Sequence, residues 1–216
     1  MFHIDWFIML GVFSAGLGTL AFLPYIRDMG SGRAIPLRST WLIWSVLSTM
    51  SFLSNVSKGA TDSLLFLGTQ TGFTVLIFLL SLRFGMGRML RGGDLGLLLL
   101  SAFGVLMWLI TADAIWALSI SIGVSALGGF VTIAKTYRQP ETETPCCWLL
   151  MALAAGCGAF SVGSWDPVLL VYPVYLCGLY ASVFVSIHLG KRNKVRLGLI
   201  LPPPMPTVGM QPPPLR

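Results

Sequence analysis

The sequence predicts an all-α integral membrane protein of seven transmembrane helices, set as two parallel three-helix bundles joined by a linker helix (3+1+3). Three observations lead there. Apolar residues fall in blocks of about 18 to 22, too long for core strands and long enough to cross a bilayer as helix. Charged residues make up only 10% of the 216 residues, hydrophobic ones 55%, and the mean hydropathy is +0.81; a soluble domain carries about 25% charged. The chain also carries an internal repeat. The first two observations exclude a soluble enzyme and a secreted disulfide scaffold. An outer-membrane barrel is disfavoured, because its strands would alternate apolar and polar residues in segments of about ten.

The spans read as 4–26, 39–57, 62–83, 94–111, 113–134, 146–164 and 167–189. Residues 1–83 form the first triple-helix bundle, 84–112 a loop and the linker helix, 113–190 the second bundle, and 191–216 a basic, proline-rich tail. Lys and Arg set the orientation. Arg27, Arg33 and Arg38 follow span one; Arg83, Arg88 and Arg91 follow span three; Lys135 and Arg138 follow span five. The tail adds Lys191, Arg192, Lys194, Arg196 and Arg216, so thirteen basic residues face Lys58 alone on the other side. By the positive-inside rule the N-terminus is outside and the tail cytoplasmic, which locates the protein in a cytoplasmic-type membrane. The opening MFHIDW lacks the basic start of a signal peptide. The tail's PPP runs favour polyproline II or disorder.

The four cysteines, Cys146, Cys147, Cys157 and Cys177, include no CxxC pair and read as small packing residues; neither metal nor cofactor is expected. The basic residues are scattered at span ends, with no basic-aromatic run, so no nucleic-acid partner is expected. His3 and His188 lie near opposite faces and no HExxH, GxSxG or Walker motif occurs, so the chain does not read as an enzyme.

The repeat lays Phe22–Trp44 on Phe130–Met151: Phe22 meets Phe130, Arg27 meets Lys135, Pro36 lies near Pro145 and Trp41 meets Trp148. Asp5 meets Asp113 at the start of each half. Two three-span units with one extra span between them point the same way, as in transporters built from parallel repeats.

At these residues the chain resembles the PQ-loop/SWEET superfamily. The features that carry the resemblance are the 3+1+3 layout, the Pro24-Tyr25 step and the Thr-Trp-Leu-Ile-Trp run that opens span two. PYIRD…P…STWLIW in the first half, K-x-Y-x-x-P-x-x-E-T (Lys135–Thr144) in the second and Val171-Tyr172-Pro173 in span seven are similar to a bacterial branch of it. The resemblance covers about residues 4–192. It implies helix order 1-3-2 within each bundle and movement of small solutes by alternating access. Two departures stand out. The family's Pro-Gln pair is Pro24-Tyr25 here and Thr132-Ile133 in the second half, and Tyr180 lies where sugar carriers place a pocket asparagine. Nicotinamide riboside transporters share the architecture and its Trp-rich helices, which keeps vitamin-like and nucleoside-like solutes beside sugars.

Span two has the most informative face. Trp41, Trp44, Ser48, Ser51 and Asn55 share one side of a helix, and lipid is a poor partner for serine and asparagine. Indole faces can stack on a solute while hydroxyl and amide groups orient it. Trp41 alone reads as an interfacial belt residue; Trp44, Ser48 and Asn55 fit a cavity face and close helix packing equally well. Gln70 and Thr74 in span three lie one turn apart beside a Gly68/Gly72 packing motif, and Gln70 needs a polar partner. The second half offers Trp148 and Tyr180. The substrate-binding set is therefore Trp44, Ser48, Asn55, Gln70, Thr74, Trp148 and Tyr180. Pro24 and Pro173, inside spans, are the hinge candidates; Pro36, Pro145 and Pro167 read as helix-start prolines.

No Asp or Glu falls mid-span, so the expected activity is facilitated diffusion of a small polar solute, sugar-like or vitamin/nucleoside-like, without a carboxylate relay. The partners are the lipid bilayer and the solute, with a homo-oligomer as a further option. The alternative is a non-transporting receptor or accessory/scaffold protein of PQ-loop type, supported by the proline-rich tail.

Overall fold

The computed structural model describes residues 6–57, 59, 64–87, 114–163 and 165–198, and six positions (96, 99, 102, 103, 106 and 110) in the stretch between. Apart from those six, the predicted fourth span 94–111 lies outside the described residues. So do the aligned Asp5 and Asp113, the lone outer Lys58, and the tail from 199 onward.

Six α-helices are described: α1 (Trp6–Gly30), α2 (Arg38–Ser57), α3 (Leu64–Phe84), α4 (Ala114–Arg138), α5 (Pro145–Phe160) and α6 (Pro167–Arg196). A 3-10 turn, Pro140–Thr142, joins α4 to α5. The described residues contain no strand, only an isolated backbone bridge between Leu37 and Met86. Apolar runs of this length become helices because a helix satisfies its backbone hydrogen bonds within one segment. Pro145 and Pro167 open α5 and α6, where a missing amide hydrogen costs nothing. After α1 the chain turns at Gly32, whose φ of +73° suits glycine.

Three helical segments are long and apolar enough to cross a membrane: Trp6–Gly30, Leu64–Phe84 and Leu169–Arg196. α5 is apolar but has only 16 residues, about 24 Å of helix. α2 is less apolar because one face carries Ser45, Ser48, Ser51 and Asn55, all buried. The surface inverts the pattern of a water-soluble protein. Trp6, Phe13, Leu20, Leu79, Phe130 and Leu153 are exposed, while Ser14, Gln70, Thr74 and Ser125 are buried. Exposed apolar area on this scale needs a non-aqueous partner.

Several helix ends differ from the sequence reading. α1 continues beyond Ile26 to Gly30, α4 beyond Ala134 to Arg138, and α6 beyond Leu189 to Arg196. Hydropathy drops where charges begin, but the backbone stays helical as it leaves the apolar layer. α5 ends earlier than expected, at Phe160, before a turn through Gly163 at φ +67°.

α3 lies between α1 and α2, and α6 lies between α4 and α5. Across the middle, α1 packs on α5 and α2 on α4. Taking α1–α3 and α4–α6 as two trios in chain order, Phe22 stacks on Phe73 at 4.7 Å within the first. Within the second, Thr136 bonds Ser186 at 3.0 Å. Between the trios the Ser14 hydroxyl donates to the Ala154 carbonyl at 2.6 Å. Gly158 permits the closest approach there, since a Cβ on it would sit 2.7 Å from the Phe66 ring.

These contacts fix direction. Phe7 faces Gly163, Ser14 meets Ala154 and Asp28 meets Thr144, so α1 and α5 run antiparallel. α2 begins beside the end of α3, where Arg38 bonds the Ser81 and Gly87 carbonyls. α6 ends beside the α4–α5 connection, where Lys194 pairs with Glu141. α1, α3, α4 and α6 therefore run one way and α2 and α5 the other, and the two trios point in the same direction. Arg27, Arg33, Arg38, Arg83, Lys135, Arg138 and the basic residues of 191–196 gather at one end of the molecule.

Candidate functional site

Each trio brings a polar stripe to the middle, because a buried serine or amide needs a protein partner when lipid surrounds the helices. The stripes meet around a small enclosed cavity. α2 supplies Trp41, Trp44 and Ser48, α3 supplies Gln70 and Thr74, α4 supplies Ser125, α5 supplies Met151, and α6 supplies Tyr172, Leu176, Leu179 and Tyr180. The volume open to a water-sized sphere is about 10 Å³, the room of a single water molecule. Among the described residues, no charged side chain lines it.

Its polar groups are partly tied to one another. The Gln70 amide donates to the Tyr180 hydroxyl and to the Thr74 hydroxyl, the latter at 3.3 Å. The Trp44 indole donates to the Ser125 carbonyl at 3.3 Å, and Tyr175 donates to the Ser125 hydroxyl at 2.8 Å. Thr74 and Ser48 donate to carbonyls on their own helices. Trp41, Trp44, Trp148 and Tyr180 form a continuous aromatic cluster on one side, with ring centroids 5.4 to 6.4 Å apart.

Five of the seven residues read from the sequence line this cavity: Trp44, Ser48, Gln70, Thr74 and Tyr180. Trp148 does not line it. It sits behind Trp44 and Tyr180, almost fully buried, and its indole donates to Glu143 at 3.1 Å. Asn55 lies toward the other end of α2. Its amide nitrogen donates to the Ser51 carbonyl at 2.9 Å, and its buried Oδ1 has no hydrogen-bond partner among the described residues. Trp41 corrects the belt reading. It is 3% exposed and lines the cavity. An indole near a helix end looks the same in sequence whether it turns to the headgroups or inward. Gly68 packs against Phe52 as a small contact residue, whereas Gly72 has open space beside it. Pro24 and Pro173 both lie inside continuous helices, and all four cysteines are free thiols.

Ser125, Leu176 and Leu179 were invisible in the sequence because nothing separates them from ordinary packing residues. Two larger grooves, about 800 and 470 Å³, open on the outer surface. Their walls are mostly apolar; the larger also carries Tyr137, Arg138 and two serines bonded to backbone carbonyls, and the smaller Trp165 and Cys177.

The end carrying the basic residues is closed by the two connecting loops. The Lys135 ammonium donates to the Glu143 carboxylate at 2.5 Å and to the Ile35 carbonyl at 2.6 Å. Both partners of this ion pair are buried, at 8% and 2% side-chain exposure. The Ile35 amide donates to the Thr142 carbonyl at 3.1 Å, and the Thr144 hydroxyl donates to Asp28 at 2.8 Å. Asp28 also pairs with Arg33 at 2.7 Å. Beside these, at the surface, burial pushes the Glu141 carboxyl up. The hydrogen bond and charge of Lys194, with Lys191 behind it, outweigh that and hold it below its ordinary value.

No family model matches the chain, and neither the curated proteins nor the solved structures contain a match to it.

Proposed function

We propose that the protein is a membrane transporter that passes a small, uncharged polar solute by alternating access between its two three-helix units, in the 3+1+3 manner of PQ-loop/SWEET proteins. One observation carries the reading: a cavity at the molecule's centre is lined from both trios by neutral donors, acceptors and indole faces. Such a lining matches a flat or ring-shaped neutral solute better than an ion. Asn55 Oδ1, without a hydrogen-bond partner among the described residues, adds a buried acceptor on the same helix, away from the cavity. On this reading the small volume is that of a closed state, and solute enters only when the two units part.

The seven-helix count is supported by chain direction. α3 ends at the basic end and α4 begins at the opposite one, so a further crossing between Phe84 and Ala114 returns the chain. The basic end lies in the cytoplasm by the positive-inside rule, and the membrane is of the cytoplasmic type. The absence of a carboxylate among the cavity's described lining supports facilitated diffusion.

A second reading has its own support. Gln70 and Trp44 are both bonded to neighbouring helices, as in a core that never opens. That favours a non-transporting receptor or scaffold. Purified protein screened for thermal stabilisation by sugars, nucleosides and amino acids, then reconstituted for counterflow of each hit, separates the two. Transport requires a stabilising solute that also exchanges. Absence of both, in folded protein, leaves the scaffold reading.

A further inference from the structure

The buried Lys135–Glu143 pair has no role in lining the cavity, yet it joins three parts of the molecule. It sits in the second half, between the last turn of α4 and the α4–α5 connection. Lys135 reaches out of that half to the Ile35 carbonyl, in the loop between α1 and α2. Glu143 reaches inward, and its second oxygen accepts the Trp148 indole hydrogen. Trp148 in turn packs edge-on against Trp44 and tilted against Tyr180, both of which line the cavity.

We infer that this chain, Ile35–Lys135–Glu143–Trp148, is a latch that holds the basic end shut and links the closure to what occupies the cavity. The inference rests on the transport reading. Among the described residues, three directed contacts form the seam between the halves at this end: Lys135 to Ile35, Ile35 to Thr142 and Thr144 to Asp28. All three must break if the trios part at this end. The ion pair itself lies within the second half and need not break, but it holds the Lys135 ammonium in place for the Ile35 carbonyl and is buried only while the end is shut. Parting the halves strips the ammonium of that carbonyl and admits water to both charges, so the made and unmade seams are two distinct arrangements. A solute that displaces Trp44 or Tyr180 shifts Trp148, and Trp148 holds one oxygen of the carboxylate that anchors Lys135.

The test reads access directly, without transport. In full-length protein with the four native cysteines replaced, Ser48→Cys places one thiol in the cavity lining. Vesicles sealed with the basic end outward are treated with a charged, membrane-impermeant thiol reagent. Glu143→Gln is expected to raise the modification rate at least tenfold. Thr144→Val, which breaks the seam away from the buried pair, is expected to raise it in the same direction. It decides the matter should Glu143→Gln fail to fold. An unchanged rate in a folded latch variant overturns the inference. A raised rate with no solute exchanged by any variant keeps the latch and removes the transport reading instead.

Discussion

Gln70 on α3 and Tyr180 on α6 are hydrogen-bonded to each other across the boundary between the two trios, amide to phenol, at the wall of the central cavity. Two side chains 110 positions apart thus close the same space. A buried bond of this kind contributes about 1 kcal/mol, and stranding one partner costs about 1–3 kcal/mol. Tyr180→Phe is therefore expected to destabilise the folded protein by about 1–2 kcal/mol in detergent unfolding and to weaken solute stabilisation in the same preparation. An unaffected solute response would remove Tyr180 from the binding set.

Asn55 separates a binding role from a packing role. Its Oδ1 is buried with no partner among the described residues, so an apolar residue of similar volume is expected to relieve a cost instead of adding one. Asn55→Leu is expected to unfold within about 1 kcal/mol of the parent, or higher, while solute exchange falls. A loss of stability with unchanged exchange would assign Asn55 to packing.

Gly158 is the structural control. A side chain there meets the Phe66 ring of α3 and the Ser14 hydroxyl of α1. Overpacking a close contact costs about 1–3 kcal/mol. Gly158→Val is expected to lower thermal stability by that amount while leaving the order of preferred solutes unchanged, since the position is outside the cavity lining.

Pro24 lies inside α1, where it removes one backbone donor and lets the helix bend. Pro24→Ala is expected to slow solute exchange in vesicles with the protein still folded. Unchanged flux would leave no reason to regard it as a hinge.

The Glu141–Lys194 pair has a pH signature of its own. The folded carboxyl titrates below its ordinary value, so its contribution is complete above that value and is lost as the pH falls through the depressed one. Glu141 is 55% exposed, so the effect is below about 1 kcal/mol. Lys194→Met is expected to lower stability slightly at neutral pH and to flatten the acid side of the stability curve, measured by thermal unfolding across pH.

Much of the site was legible because polar residues in apolar spans are conspicuous. Ser48, Gln70 and Thr74 stood out for that reason, and Tyr180 for its depth. Trp41 was misread because burial and interfacial exposure use the same residue at the same helix end. The Lys135–Glu143 pair was missed for a different reason. Lys135 was counted as a connection charge that sets orientation and Glu143 as part of a motif, and nothing joined the two, although Lys135, Glu143 and Thr144 belong to one motif in the second half. Nothing in the sequence says that a loop folds back far enough to bury its own charges. The repeat also misled in detail: Phe22 is fully buried, whereas its counterpart Phe130 is 69% exposed. A shared backbone path does not require shared surroundings.

The seam at the basic end is made of unlike parts: the first half gives the Asp28 carboxylate and the backbone of Ile35, the second the Lys135 ammonium, the Thr144 hydroxyl and a backbone oxygen. Of its three contacts, Asp28 with Thr144 alone joins two side chains. Drift at one of these two positions, more than a hundred residues apart, therefore calls for a matching change at the other, whereas at position 35 it is the path of the chain, not its side chain, that inheritance must keep.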